Sequence, residues 1–586
     1  MLRFHTLALC VAVLVGVISL APHILFIGFL GDAYQGIPMM QTANEDSYLA
    51  RIQEIVDGHG ALGSPFFFEY KDSSPLSPPT VEWLYALPSI IFGISPATVL
   101  VTSKFILPTV LFFLVYLLVM RLTVSGGVSQ RMNAIVGGLL VVLGYDLIDY
   151  RTVFSYINGI ASPESFLLWA RPVNPIFGAI FLMSFLIFVW EIIEHTKRRT
   201  STLIGASLCL AFMFASYFFS WGIALSVLAT LILFLLFRKE YQTAGTLASI
   251  IPLGIFFASP YWIAAWRAAA SPWYEESVLR SGLFLTHYPL LNKLLLATLL
   301  VFVLTLVLDF FWKKRKGVLF RLEEWHWFCA ALLLGGLWAY SQQILTGRTV
   351  WPYHFVQYTI PLSIVVGMVV AHRIVREYNK YIWAVLVSIA ALLSLVFGVF
   401  TQVSTYRSSL PAYIKLQSEA SLFRFLNAQE KDCVVFTKED RPEMSRLNTL
   451  IPAFTHCNRY ASTELFALMP SERGRDSYFA LLRLNGLSAD AVDEYLHQNR
   501  SEATGYLYSN WQGLFGVQDF PDFSDPLLEK RLKTFPEEYR QFMVKDFRTE
   551  LKKYRLDYIL SYGLLDEFPS TDIVYTQNER YLYRVK

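Results

Sequence analysis

Eleven apolar stretches occupy most of the first 400 residues. Each is near the ~20 residues that a helix needs to cross a bilayer. They lie at roughly 6–30, 98–120, 132–148, 174–193, 202–217, 219–237, 244–263, 290–311, 326–343, 357–372 and 381–400. Hydrocarbon offers backbone amides no partner, so such runs must fold as helices that satisfy themselves. A single soluble globule is thereby excluded. The segment 83–95 is apolar but short and contains Pro88. It reads as an interfacial or re-entrant piece, which proline tolerates where protein covers it.

Charge divides the chain where the apolar runs stop. Residues 402–586 hold 24 Lys and Arg and 26 Asp and Glu, about 27% of the segment, as in soluble domains. The first 401 residues are only about 11% charged, as a bilayer requires. The expected fold is mainly α. A polytopic bundle of about eleven transmembrane helices (1–401) carries outer loops at 31–80, 149–173, 264–289 and 344–356. A soluble α/β domain (402–586) follows. Within it, 433–438 and 557–562 read as buried strands. Residues 572–585 read as a hairpin turning at Gln577-Asn578. Residues 528–554 read as helices broken at Phe535-Pro536. A net charge of +3 without a basic tail gives no sign of nucleic acid.

Loop charge sets the expected sidedness. With the N-terminus inside, inner loops carry 16 Lys and Arg and the longer outer loops carry 7. This bias places the N-terminus in the cytoplasm and, with an odd number of spans, the C-terminal domain outside the cell. The protein is then a multi-pass protein of the plasma (inner) membrane. The first apolar run lacks a convincing small-x-small cleavage site and reads as an uncleaved span. Cys433 and Cys457 would face an oxidising compartment. A disulfide between them and two buried thiols are both open readings. No C-x-x-C occurs, so no structural zinc site is expected.

In a body this poor in charge, polar residues at the membrane edge ask for a reason. The densest place is 41–59. Asn44 reads as the cap of a helix that starts at Glu45 and stops at Gly58. Tyr48, Ile52, Ile55 and Val56 give that helix one apolar side, as on a surface helix. Glu45 and Asp46 lie in its first turn. There they complement the helix dipole, or one of them serves as a general base or orients an acceptor or a metal. Arg171, between Trp169 and Pro172, either snorkels beside an aromatic belt or clamps phosphate bidentately. Asn174 lies in the same loop. Arg348 and His354 share the outer surface before the tenth span. Lys104 sits inside the second span near its outer end, to snorkel or pair with a carboxylate. Residues 267–280 read as a charged loop that is either flexible or a cover for an interfacial site.

With these features together, the chain resembles the GT-C superfamily of polytopic glycosyltransferases. The residues that carry the resemblance are Asn44-Glu45-Asp46-Ser47-Tyr48 in the first outer loop. Glu45 matches the second acid of the family's D-E-x-x-Y, with Asn44 in place of the first. Asp46 matches the acid of D-x-Y. Asp46 to Arg51 also looks loosely like the oligosaccharyltransferase loop, although that branch's W-W-D motif is absent. The resemblance implies an inverting transferase that moves a sugar from a polyprenyl-phosphate donor to an acceptor hydroxyl outside the membrane. Glu45 or Asp46 would be the base. Arg171, Arg348 and His354 would hold the donor phosphate, with Asn44, Tyr48, Lys104 and Asn174 in support. Membrane lipids and the lipid-linked donor are the implied partners, and the acceptor is unspecified. No cofactor is required, and a divalent metal is compatible with the acids but called for by no pattern. Two other classes compete: a non-catalytic relative that binds glycans as a scaffold, and a transporter or flippase. The latter would show charged or broken helices at mid-membrane and paired repeats, and neither is visible.

Overall fold

The computed structural model describes all residues except 1, 124–126, 159–165, 195–198, 282, 465–466, 501, 504–505, 507–525, 566–571 and 586. Part of the loop before Arg171 (Ser162 to Ser165) and the inner-loop basic residues Lys197 and Arg198 therefore lie outside the described residues.

Seven described helices are long and apolar enough to cross a membrane: His5–Ala33, Pro96–Leu122, Ile176–Glu194, Phe218–Phe237, Lys293–Arg315, Pro352–Tyr378 and Lys380–Asn427. An eighth results if Tyr241–Phe257 and Ser259–Ala269, bent by 62°, count as one span. The remaining three expected spans are the helices Val128–Val142, Arg199–Phe214 and Glu324–Tyr340, of 15, 16 and 17 residues. At 1.5 Å per residue they reach only about 22–26 Å, short of a ~30 Å hydrocarbon core. By length and apolarity alone, seven described helices, or eight with the bent pair, qualify as spans. The helix Thr80–Phe92 is also short, holds Pro88, and stops at the left-handed Gly93.

The basic residues assigned to inner loops gather at one end of the bundle. Arg121 pairs with Glu191, Arg238 with Glu324 at 2.5 Å and Arg373 with Glu323 at 3.4 Å. The C-terminal domain sits at the other end. The helix Lys380–Leu416 connects the two and runs unbroken through residue 402. Its 37 residues extend about 55 Å, beyond any hydrocarbon core. Gln402 anchors it to the first helix through the Ile18 and Ser19 carbonyls, at 3.1 and 3.0 Å. Farther out, Tyr413 donates to the Met40 carbonyl and Gln417 to the Ile37 carbonyl.

In the C-terminal domain, strands β3 (Val434–Thr437), β4 (Asn458–Arg459), β5 (Tyr558–Tyr562), β6 (Asp572–Gln577) and β7 (Arg580–Arg584) form one sheet in the order β4-β3-β5-β7-β6. β3 is parallel to β4 and β5, and β7 is antiparallel to β5 and β6. A separate small pair, β1 (Leu283–Leu285) and β2 (Arg348–Val350), joins two outer loops. The hairpin turns at Asn578-Glu579, one residue later than expected, because these are the two residues with φ of 50° and 60°, as a two-residue turn requires. Pro536 does not break its helix. Pro526–Met543 is continuous, and buried Leu532, Phe535, Tyr539 and Phe542 hold it to the core across the proline. The helix stops at Met543, and Asp546 caps the next one through the Thr549 amide at 2.8 Å.

Cys433 and Cys457 form a disulfide, with Cα atoms 4.4 Å apart. His456 lies beside it, and the three side chains offer ligand atoms within 4.8 Å of one another. The disulfide consumes both thiolates, which are the species that would bind a metal.

The first outer loop is part of the domain's own core. Met39, Leu49, Ile52, Ile55, Phe66 and Phe67 share one apolar cluster with Leu422, Val435, Leu447 and Leu560. The helix Glu45–Val56 is therefore not a surface helix. It is buried on two sides, between the bundle and the helix Pro442–Phe454. The segment Tyr274–Arg280 is likewise pinned rather than loose. Arg280 is fully buried and donates to Ser471 and to the Met469 carbonyl, and Glu276 pairs with Arg531 at 2.5 Å.

Candidate active site

A helix turns 100° per residue, so neighbouring side chains diverge while i, i+3 and i+4 align. Glu45, Tyr48, Leu49 and Ile52 share one face of the helix Glu45–Val56, which meets the bundle. Asp46, Ala50, Glu54 and Asp57 share another, which meets the C-terminal domain. The two acids thus belong to different surroundings.

Glu45 is buried, with its side chain fully covered. One carboxylate oxygen, Oε1, accepts from Lys104 Nζ at 2.5 Å, from the Thr42 amide at 2.9 Å and from Thr42 Oγ1 at 2.5 Å. The other, Oε2, has no partner among the described residues. Lys104 is also buried, so it pairs rather than snorkels. His23 is buried within electrostatic reach of Lys104, and neither ring nitrogen has a partner among the described residues. Asn44 does not act as a side-chain cap. It takes a left-handed conformation (φ 60°) and makes no side-chain capping bond. The carboxylate of Glu45 reaches back to the Thr42 amide instead.

Asp46 is 14% exposed at its side chain. It accepts from Arg446 of the helix Pro442–Phe454 at 3.0 Å and from the Ser47 amide at 3.0 Å. Arg446 also donates to Tyr413 at 2.8 Å.

Two residues along, Tyr48 brings in the second outer loop. Its hydroxyl accepts from Arg171 at 3.1 Å, and the guanidinium lies 5.5 Å from its ring centroid. Arg171 Nε is buried without a partner among the described residues. Trp169 is no belt residue. It is buried and donates to the Val141 carbonyl at 2.7 Å. Val173, at φ 61°, turns its amide onto the Tyr85 hydroxyl at 3.1 Å. Asn174 follows, its buried Oδ1 unpartnered among the described residues.

His354 meets Tyr217 at 3.2 Å between Nδ1 and the hydroxyl. Arg171 acts electrostatically on Tyr353, His354 and Tyr217, so the fourth outer loop (344–356) reaches the same place. Tyr358 backs the group by donating to the Pro175 carbonyl at 3.2 Å. Gly178 permits this approach, since a Cβ there would lie 2.3 Å from the Tyr358 hydroxyl. Arg348 stands apart. It is exposed on β2 and its side chain makes no hydrogen bond or ion pair among the described residues.

The structure therefore gathers Glu45, Lys104, Tyr48, Arg171, Asn174 and His354, with Asp46 on the adjoining face, while the exposed Arg348 side chain makes no hydrogen bond or ion pair to them among the described residues. Thr42, Tyr85, Tyr217 and Arg446 complete the arrangement. His23 carried a legible signal, a histidine within an apolar run. Arg446 carried none, being 400 residues from its partner. Between Thr80–Phe92 and Pro96–Leu122 lies an apolar groove of about 320 Å³ whose lining includes Tyr85, Ser103 and Phe177.

Neither a protein-family model nor a curated protein matches the chain. Among solved structures, it is similar to the archaeal oligosaccharyltransferase AglB from Archaeoglobus fulgidus in complex with an inhibitory peptide and a dolichol-phosphate, at 13% identity over 95% of this chain and 69% of that one, with a TM-score of 0.46. It is also similar to ArnT from Cupriavidus metallidurans. The apo state gives 10% identity, 96% and 97% coverage and a TM-score of 0.42. The form bound to undecaprenyl phosphate gives 10%, 100% and 98%, and 0.44.

Proposed function

We propose that the chain is a membrane glycosyltransferase that takes a sugar from a polyprenyl-phosphate donor and passes it to a hydroxyl acceptor on the side of the C-terminal domain. The observation that carries this reading is Arg171. A guanidinium with an unpartnered Nε, held by Tyr48 of the acidic helix, is placed to take phosphate oxygens where negative charge develops on the leaving group.

The donor's tail would lie in the apolar groove beside Thr80–Phe92. Tyr85, in the groove's lining, accepts from the Val173 amide of the Arg171 loop, so tail and phosphate would sit close together. His354 and Tyr217 would add hydrogen bonds to the same phosphate. Asp46 is the better candidate for the base, because Glu45 is enclosed and already holds Lys104. Glu45 then acts as a positioning residue that fixes the first turn of the helix. Arg348 is left out of the donor site. The N-terminus would be cytoplasmic and the C-terminal domain outside.

Transfer of radiolabelled sugar from a polyprenyl-phosphate donor, in membranes carrying the protein, tests the reading. Asp46→Ala is expected to abolish transfer while the protein still inserts. Full activity in Asp46→Ala, Glu45→Ala and their double variant would remove the proposal. One observation favours a second reading, a non-catalytic glycan-binding scaffold: both acids are already paired, Glu45 with Lys104 and Asp46 with Arg446. Wild-type protein that binds glycan and never turns over would select it.

A further inference from the structure

The C-terminal domain has a second polar cleft, away from the acidic helix. It lies where the parallel strands β3 and β4 end, lined by the loops that follow them and by the helix Pro442–Phe454. The chain leaves β3 toward β4 on one side, while β5 lies on the other. The carboxyl ends of strands at such a reversal are where open α/β sheets hold ligands. The cleft measures about 460 Å³, within the range of small-molecule sites.

Its lining is chemically specific. Glu439 accepts from Asn448 Nδ2 at 2.8 Å and from the Tyr506 hydroxyl at 3.5 Å. Three polar atoms at the cleft are buried with no partner among the described residues: Asn448 Oδ1, Asn485 Oδ1 and Arg459 Nε. Asn448 is 5% exposed and Arg459 2%. Buried polar groups without partners are costly, so atoms of this kind around one cavity point to something that completes them. These three atoms, two carbonyl acceptors and one N–H donor, stand beside the Glu439 carboxylate, so the lining is of mixed character. Acids and bases both line the wall, so neither an anion nor a divalent cation is matched. Arg459 is further occupied by Glu464 at 3.5 Å and by the face of Phe66 at 4.4 Å. Groups that both donate and accept, namely hydroxyls, are what such a lining pairs with. Burial pushes Glu439 up to about 7, so near neutral pH its carboxyl is available both as acceptor and as donor.

We propose that this cleft binds a neutral saccharide of one or two rings, at a site separate from the transfer site. The inference rests on the cleft alone, and would stand if transfer failed. The helix Pro442–Phe454 has Ser445, Asn448 and Thr449 on the cleft side and Arg446 on the Asp46 side. A bound sugar would thus share a wall with the acidic helix.

The test is titration of the full chain in micelles with N-acetylglucosamine, its β1–4 dimer, methyl mannoside and galactose, read by saturation-transfer NMR and calorimetry. At least one sugar is expected to bind. The isosteric Glu439→Gln and the rim variant Asn485→Leu are each expected to weaken it about tenfold, the equivalent of one hydrogen bond made to a buried polar group. Asp46→Asn should leave binding unchanged, which separates this site from the transfer reading. If Asn485→Leu lowers the melting temperature, Glu439→Gln decides. No binding by any of these sugars, wild-type affinity in Glu439→Gln, or displacement of the sugar by inorganic phosphate would each overturn the proposal.

Discussion

Replacing Lys104 by methionine isolates the energetics that hold the acidic helix in place. The Lys104 and Glu45 side chains are 1% and 0% exposed, at 2.5 Å. Removing one partner of a buried pair costs about 3–5 kcal/mol, because the other charge is left without compensation. Thr42 still donates twice to Glu45 in Lys104→Met, so the lower end, about 3 kcal/mol, is expected. Glu45→Gln strands the ammonium and should cost a similar amount. The double variant Glu45→Gln/Lys104→Met strands neither charge. It should lose only hydrogen bonds, about 1 kcal/mol each. The coupling is then at least about 2 kcal/mol, well above the ~0.5 kcal/mol scatter of independent sites. Unfolding in mixed micelles, followed by tryptophan fluorescence, measures it. Both single variants should melt below the double variant. A double variant as unstable as the sum of the singles would refute the reasoning.

Other perturbations reach different parts of the molecule. Arg171→Ala should lower transfer about 10²–10³-fold, as loss of a donor to developing charge does, far beyond what its lost bond to Tyr48 costs in stability; transfer kinetics and a thermal scan check both. Tyr48→Phe removes one bond made by a charged group and should cost about tenfold in the same assay. Glu54 is held by burial up to about 7, against an ordinary 4.5, despite Lys71 at 3.3 Å. Its folded state binds the proton more tightly than the unfolded chain. The resulting stability is full below pH 4.5 and is lost as pH rises through 7, an effect of about 3 kcal/mol. Melting from pH 5 to 8 should therefore fall more steeply in wild type than in Glu54→Gln, and parallel curves would sink the assignment. The disulfide closes a loop with a sequence separation of 24. Its removal in Cys433→Ala/Cys457→Ala should cost about 3–4 kcal/mol by loop entropy, seen as a lower melting temperature that reductant no longer changes.

How much of this was legible depends on the range of each interaction. Apolar length located the long helices, since crossing a bilayer is a local property of sequence. It also counted Val128–Val142 and Glu324–Tyr340, apolar helices of 15 and 17 residues that are shorter than the seven long ones. Buried Leu139 and Phe328 look the same in sequence whether protein or lipid surrounds them. The start of the acidic helix was readable, but not its cap, because Asn44 looks like a capping residue yet makes no side-chain capping bond. Pro536 misled for a related reason. Its local cost is outweighed by Phe535 and Tyr539, whose partners are distant in sequence. Lys104 and Glu45 were each visible as anomalies, and only the fold joins them across 59 residues.

The separation of Glu45 from Asp46 bears most on the chemistry. Adjacent acids invite a single role, yet the 100° step puts one toward the bundle and the other toward the C-terminal domain. On the bundle side, Lys104 and Thr42 enclose a fully buried carboxylate. On the domain side, Arg446 neutralises a carboxylate that remains partly open. Under the proposed transfer, an acceptor hydroxyl would reach Asp46 by displacing Arg446 toward Tyr413, its other partner at 2.8 Å. The C-terminal domain then does more than cover the site. By supplying Arg446, it would, under that proposal, set when the acid is available. It also explains why the first outer loop, rather than standing free at the membrane, is built into the core of a domain encoded 400 residues later.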